Sequence, residues 1–336
     1  MQTLIVTGGA GFIGSNFVRY MLAMYPDYQI IVLDALTYAG NLDNLADVWA
    51  NPHFSFTKGD INDGPLVDTL AQNADAIVNF AAESHNDRAI LDPEGAVRAN
   101  FNGVFTLLEA ARKYKHSRFH QVSTDEVYGT TDGIFKEGDP LVPNQPYSAA
   151  KAGGELMVRA YHQTFGLPTI VTRGSNTFGP YHYPEKIIPL FITNLIDNKP
   201  VPVYGDGQQV RDWMYVLDHC KGIDIALHHG TPGEVYNVGG DNDRPNLEVV
   251  RLLLSYLDKP ESLIHYVKDR PGHDRRYSLD CTKMAGLGYT PEKGRFEERL
   301  QETVAWYLAH EPWWRAIKEK QQEYQQFMRQ WYAERQ

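Results

Sequence analysis

Tyr147 and Lys151 stand four residues apart in Tyr147-Ser148-Ala149-Ala150-Lys151, so on a helix they share one face. A phenol beside an ammonium can take a proton from an alcohol while a nicotinamide accepts the hydride. A phenol titrates at about 10 in water, and a neighbouring cation lowers that value. Lys151 can also hold the nicotinamide ribose. Upstream lies Ser123-Thr124-Asp125-Glu126. Thr124 can donate to the reacting oxygen. Asp125 and Glu126 can serve as acid and base if their surroundings separate their pKa values. Simple alcohol oxidation needs only Tyr147 and Lys151. The added carboxyl pair points to oxidation of a sugar carbon, loss of water next to it, and return of the hydride. An ordinary acidic loop is the competing reading of that dipeptide alone.

A phosphate cradle precedes these residues. Thr7-Gly8-Gly9-Ala10-Gly11-Phe12-Ile13-Gly14 follows an apolar run and opens a helical pattern. Glycines at 8, 11 and 14 permit a tight turn and a close approach of backbone to pyrophosphate, with a helix N-terminus facing the anion. Asp34 closes the second apolar run, 20 residues after Gly14. An acid there accepts from a ribose 2′-OH and repels a 2′-phosphate, which favours NAD over NADP. Asp60, after the third run, either reaches the adenine amino group or caps a turn.

The elements that must position these groups alternate in type. Apolar runs at residues 4–6, 30–33, 54–56, 76–80 and 119–123 read as strands. Helical patterns cover 12–24, 96–115 (with Phe101, Phe105 and Leu108 on one stripe) and 148–165. Such alternation predicts an α/β fold, a Rossmann-type doubly wound parallel sheet covered on both faces. Gly153-Gly154 costs the third helix roughly 1 kcal/mol per residue relative to Ala, which close backbone packing would justify. Beyond Gly179-Pro180, five prolines from Pro180 to Pro202 break the rhythm. The expected organisation is an NAD-binding domain over 1–177, a smaller α/β substrate lobe over 178–315 and a helical tail over 316–336. Segments around 210–240, such as Val235–Val238, are expected to return to the main sheet.

The chain has 336 residues and a formal net charge of -10, which argues against nucleic-acid or anionic-membrane surfaces. Cys220 and Cys281 lie in no CxxC or Cys/His cluster, so no metal site is expected. The reading finds no signal peptide and no membrane span, and the cytoplasm is the expected location.

The blocks taken together resemble the extended short-chain dehydrogenase/reductase superfamily and, within it, the nucleoside-diphosphate-glucose 4,6-dehydratases. The blocks are Thr7–Gly14, Asp34–Asn41, Ala81–His85, Ser123–Gly129, Tyr147–Lys151, Ser175–Pro180, Tyr183–Lys186, Tyr204–Gly207, Arg211–Trp213 and Asp269–Tyr277. The resemblance implies a nucleoside-diphosphate sugar, dTDP-glucose above all, processed on one tightly held, recycled NAD. Tyr147 and Thr124 would assist oxidation at C4, Glu126 would remove H5, and Asp125 would protonate the departing 6-OH. The cofactor set implied is Gly8, Gly11, Phe12, Ile13, Gly14, Asp34, Thr37, Asp60, Ile61, Ala81, Ala82, Tyr147, Lys151 and Asn176. The substrate set is Ser84, Thr124, Asn176, Lys186, Arg211, Asn246, His273 and Tyr277. Arg211 also fits a diphosphate on its own chemistry, Arg275 and Arg276 either add charge or form surface ion pairs, and His85 and His273 are either ligand contacts or structural. A homodimer built on a four-helix bundle is implied. A sugar-nucleotide 4-epimerase is the nearest alternative, needing no elimination pair; a non-catalytic NAD-binding protein would need neither pair. The chain departs from the usual pattern at Asn86 (usually Val), Ala89 (usually Ser) and Thr177-Phe178 (more often Asn-Tyr).

Overall fold

The apolar runs are rich in Val and Ile, which suit a pleated, doubly buried surface. Six early strands form: β1 (Thr3–Thr7), β2 (Gln29–Asp34), β3 (Phe54–Lys58), β4 (Ala76–Asn79), β5 (Arg118–Thr124) and β6 (Thr169–Gly174). Then come β7 (Asn176–Phe178), β8 (Val201–Tyr204), β9 (Val210–Tyr215), β10 (Val235–Val238), β11 (Asp243–Pro245) and β12 (Ile264–Val267). The computed structural model describes residues 2–333 and 335. Its main sheet runs β10-β6-β5-β4-β1-β2-β3, with every pairing parallel. This is the α/β Rossmann-type fold, with β10 returning to the sheet edge beside β6.

Strand alternation divides the core. Leu4 and Val6 face the helices Phe12–Met24 and Val216–His229, whose Phe17, Met21, Ile223 and Leu227 fill one layer. Ile5 and Ile77 face the opposite layer, filled by Val104, Leu107, Leu108 and Val158 from the helices Gly103–Lys113 and Pro146–Phe165. The order reverses between β1 and β4, so a crevice opens at their carboxyl ends, beside Gly8 and Ala81.

A second core surrounds Phe178, Phe191, Trp213, Leu253 and Trp314. There β9 pairs with β7 and β11, and β8 pairs with β12. The tail folds back as the helix Gln322–Ala333, not as one helix from Trp313, because Gln321 adopts extended backbone. Trp331 Nε1 donates to Tyr204 Oη at 2.7 Å, and Tyr324 Oη donates to the Pro184 carbonyl at 3.1 Å.

The helix expected over 96–115 differs in one respect. Residues Arg98–Asn102 form a π-helical segment ahead of Gly103–Lys113. Its extra residue per turn rotates the buried stripe. Leu108 is buried as expected, whereas Phe105 points outward, 46% exposed. The same segment explains Gly154: a Cβ there would stand 2.4 Å from the Asn100 carbonyl oxygen. The predicted glycine penalty is the condition for that close crossing.

Candidate active site

A cavity of about 420 Å³ follows the carboxyl edge of the sheet. It is lined by every residue of the implied cofactor set, together with Ser84, Thr124, Asp125, Glu126 and Lys186. The glycine turn is built for close approach. Gly8 has φ +67°, and a Cβ on it would lie 2.6 Å from Ala81 N; a Cβ on Gly14 would collide with the Gly8 carbonyl. The Asp34 carboxylate is fixed by the amides of Ala10 (2.9 Å) and Leu36 (2.8 Å), and burial pushes its pKa up. Each of its oxygens retains a lone pair for a ribose hydroxyl. Asp60 takes the turn-capping role on one oxygen, accepting from Asn62 N at 2.8 Å, and pairs with Arg98 on the other at 2.7 Å. These residues fit a dinucleotide with a free 2′-OH.

The catalytic candidates meet because β5 ends at Thr124, a short 3-10 turn carries Asp125 and Glu126, and the helix Pro146–Phe165 begins alongside. Gln145 and Ser148 form a capping box that fixes the first turn of this helix and so Tyr147. Thr124 Oγ1 caps the 3-10 turn by accepting from Glu126 N at 3.3 Å. Asp125 is buried, and burial, then the charge of Glu126, drives its pKa well above the carboxylate range. Its Oδ2 has no hydrogen-bond partner among the described residues. Burial and the unpartnered Oδ2 favour the protonated form of Asp125, and Glu126 beside it is partly exposed to the cavity.

Tyr147 departs from expectation in direction. Burial, followed by the charge of Glu126, pushes its phenol upward, and the Thr124 hydroxyl opposes this. Lys151 does not lower it, because the Lys151 ammonium donates to the Val122 carbonyl at 2.7 Å. Burial depresses Lys151 to about 8, opposed by Glu155 one turn on. Behind them Glu155 is locked to Arg173 at 2.7 Å and accepts from Ser123.

A second chamber of about 140 Å³ shares Glu126, Asn176 and Lys186 with the first, so the two form one cleft. Arg211, Asn246 and His273 line it. The Arg211 guanidinium donates to the carbonyls of Val210 (2.7 Å) and Asp274 (2.9 Å) and lies over the Tyr277 ring at 4.4 Å. No carboxylate pairs with it among the described residues, so its charge is left for an anion. Tyr277 is 1% exposed and supports Arg211 from behind, away from the cavity wall. Lys186 Nζ donates to the Ser84 carbonyl at 2.6 Å. Arg275 and Arg276 take the surface role, paired with Asp206 and Asp243 at 2.8 Å each. His273 bonds Asp269 at 2.6 Å while lining the chamber, and buried His85 packs edge-on against Phe327 at its rim.

Arg270 is the main residue that sequence reasoning missed. It lines the same chamber and pairs with Asp87 at 3.2 Å. Its position in Asp269-Arg270-Pro271-Gly272-His273 was a usable signal, since Pro271 and Gly272 turn the chain back toward the cleft. Tyr204, which opens the Tyr204–Gly207 block, also lines it, as do Asp87 and Tyr332, which come from distant segments without a local signature. The departures find partners too. Asn86 Nδ2 donates to Glu126 Oε2 at 2.6 Å. Ala89 packs in a small buried cluster with Tyr147 and Ala150. Thr177 Oγ1 bonds His219 Nδ1 at 2.9 Å, and Phe178 fills the second core.

A Rossmann-type sheet with Tyr147, Lys151 and an acid pair in one cleft defines a dinucleotide-dependent enzyme acting on an alcohol carbon. Comparison with known proteins narrows this. Residues 5–303 match the family model of GDP-mannose 4,6 dehydratase. A dTDP-glucose 4,6-dehydratase of Actinoplanes sp. is 50% identical, covering 93% of this chain and 99% of that protein. A crystal structure of the dTDP-glucose 4,6-dehydratase from Streptomyces venezuelae, solved with NAD bound, superposes with a TM-score of 0.92 at 49% identity. It covers 94% of this chain and 100% of its own. A UDP-glucuronic acid 4-epimerase from Bacillus cereus is similar at 26% identity and a TM-score of 0.87, over 92% of this chain and 99% of that one. The chain belongs to the nucleotide-sugar 4,6-dehydratase family.

Proposed function

We infer that this chain is a hydro-lyase that dehydrates dTDP-glucose, with NAD, to the 4-keto-6-deoxy sugar nucleotide. The observation that carries the reading is the buried carboxyl of Asp125 beside the partly exposed Glu126, in one cleft with Thr124, Tyr147 and Lys151. NAD would be held by the turn of Gly8, Gly11 and Gly14, by Asp34 and by Lys151, and would supply the hydride-accepting and hydride-donating chemistry. Tyr147 would take the 4-OH proton as its phenolate, a form that the positive charge of oxidised nicotinamide would favour against the burial that raises its pKa, with Thr124 donating to the same oxygen. A ketone at C4 acidifies H5, which Glu126 removes. Asp125 gives its proton to the leaving 6-hydroxyl, and Glu126 returns a proton to C5. The Gln145–Ser148 capping box fixes Tyr147, and Lys151 would hold the cofactor's ribose. Arg211, with Lys186 across the cleft, takes the diphosphate, and Phe191, Val203 and Val250 offer an apolar end for the base.

The 4-epimerase alternative makes no use of a proton-bearing Asp125. A homodimer whose four-helix bundle pairs the helices Gly103–Lys113 and Pro146–Phe165 with their copies fits the exposed Val97, Phe105, Leu156 and Phe165 (46–58%), all on or close to those helices. Among the described residues no helix is long and apolar enough to cross a membrane, and the two cysteines are free. We place the enzyme in the cytoplasm. Purified protein given dTDP-glucose without reductant should form a product with the alkaline ultraviolet absorbance of a 4-keto-6-deoxy sugar. Formation of dTDP-galactose instead would exclude this function.

A further inference from the structure

Glu126 ends a three-rotor side chain on a short turn, yet a base must hold its oxygen in line with one C–H bond. Among the described residues, one side-chain hydrogen bond reaches its carboxylate, from Asn86 Nδ2 to Oε2 at 2.6 Å. We propose that Asn86 is a positioning residue for the elimination step, orienting Glu126 so that Oε1 faces H5. The proposal rests on the assignment of Glu126 as the base.

Three observations support it. Asn86 is 5% exposed and opens the helix Asn86–Leu91, so it donates from a fixed platform. That platform is tied on both following residues. Asp87 accepts from Tyr204 Oη at 2.8 Å and pairs with Arg270 at 3.2 Å. Arg88 pairs with buried Glu185 at 2.8 Å and lies over the rings of Tyr38 (3.8 Å) and Phe327 (4.3 Å). Finally, the donor is neutral. The cations nearest Glu126 (Lys186, Arg211 and Arg270) act through the field and form no ion pair with it. A direct ion pair would hold the carboxylate but weaken it as a base; an amide orients it at less cost to basicity. Valine, the residue usual at this position in the resembling family, offers no donor.

The test is single-turnover mixing of NAD-loaded enzyme with dTDP-glucose, following the rise and decay of bound NADH. Asn86→Val should slow the decay roughly ten-fold, the loss expected for one hydrogen bond to a charged group, and leave the rise unchanged. The acid limb of the decay rate should move to higher pH. Asp125, Tyr147, Tyr277, Lys186, Arg211 and Arg270 all face Glu126 and are unaltered by the change, so the movement reports the lost amide. Asn86→Asp, nearly isosteric, should slow the decay further at neutral pH, which separates the missing donor from a packing defect. Decay at the wild-type rate with an unmoved limb, or equal slowing of both phases, overturns the proposal. Glu126→Gln in the same experiment keeps the two assignments apart. Normal decay in that variant removes Glu126 as base. A stall there, with wild-type decay in Asn86→Val, removes only Asn86.

Discussion

Asp125 and Glu126 are chain neighbours in different electrical surroundings. Asp125 lines the cleft but is buried, and burial and its neighbour's charge raise its pKa; Glu126 is partly exposed in the same cleft, which Lys186, Arg211 and Arg270 also line. The residue types were legible in the sequence and the family resemblance implied their roles, but the difference in their surroundings was not legible, because it depends on which way a 3-10 turn points each carboxyl. Asn86 shows the same limit: it was visible as a departure, while its partner lies 40 residues away. Glu83 offers a check on burial at this scale. Burial, opposed by Arg88 and reinforced by Glu185, raises its pKa from 4.5 to about 7. A raised acid contributes stability that is complete below 4.5 and is lost as pH climbs through 7. Glu83→Gln should therefore be more stable than the parent at pH 8, by at most about 3 kcal/mol, with the gap closing at acid pH. Thermal melts of the cofactor-free protein at both pH values measure this; a pH-independent gap would contradict it.

Among the elements, local pattern was a good guide wherever a stripe or glycine turn acted alone. The strands of the main sheet and the helix carrying Tyr147 and Lys151 follow from periodicity and caps. The π-helical Arg98–Asn102 segment was not legible, since its register shift arises from packing against Gly153 and Gly154. Gly154→Ala tests that account. Helix propensity alone favours alanine by about 1 kcal/mol. With a Cβ 2.4 Å from the Asn100 carbonyl, we expect instead a net loss of roughly 1–3 kcal/mol in denaturant unfolding. A stabilised variant would show that the two helices do not cross as closely as described.

At the scale of the whole molecule, the cleft is assembled from segments that no local window unites. The main sheet supplies the glycine turn, the acid pair and Tyr147. The second lobe supplies Arg211, Asn246 and Arg270, and the tail adds Tyr332 to the same wall. Such a closed, two-ended cleft suits a reaction in which a hydrogen leaves one carbon of the sugar and must reappear on another without escaping to water. In the proposed mechanism, protons by contrast would pass through Glu126 and exchange with solvent. Turnover of dTDP-glucose in deuterium oxide, read by NMR of the product, measures both at once. The mechanism predicts a 4-keto-6-deoxy sugar with deuterium at C5 and none delivered to C6. Deuterium arriving at C6, or a product that keeps its 6-hydroxyl, would contradict it.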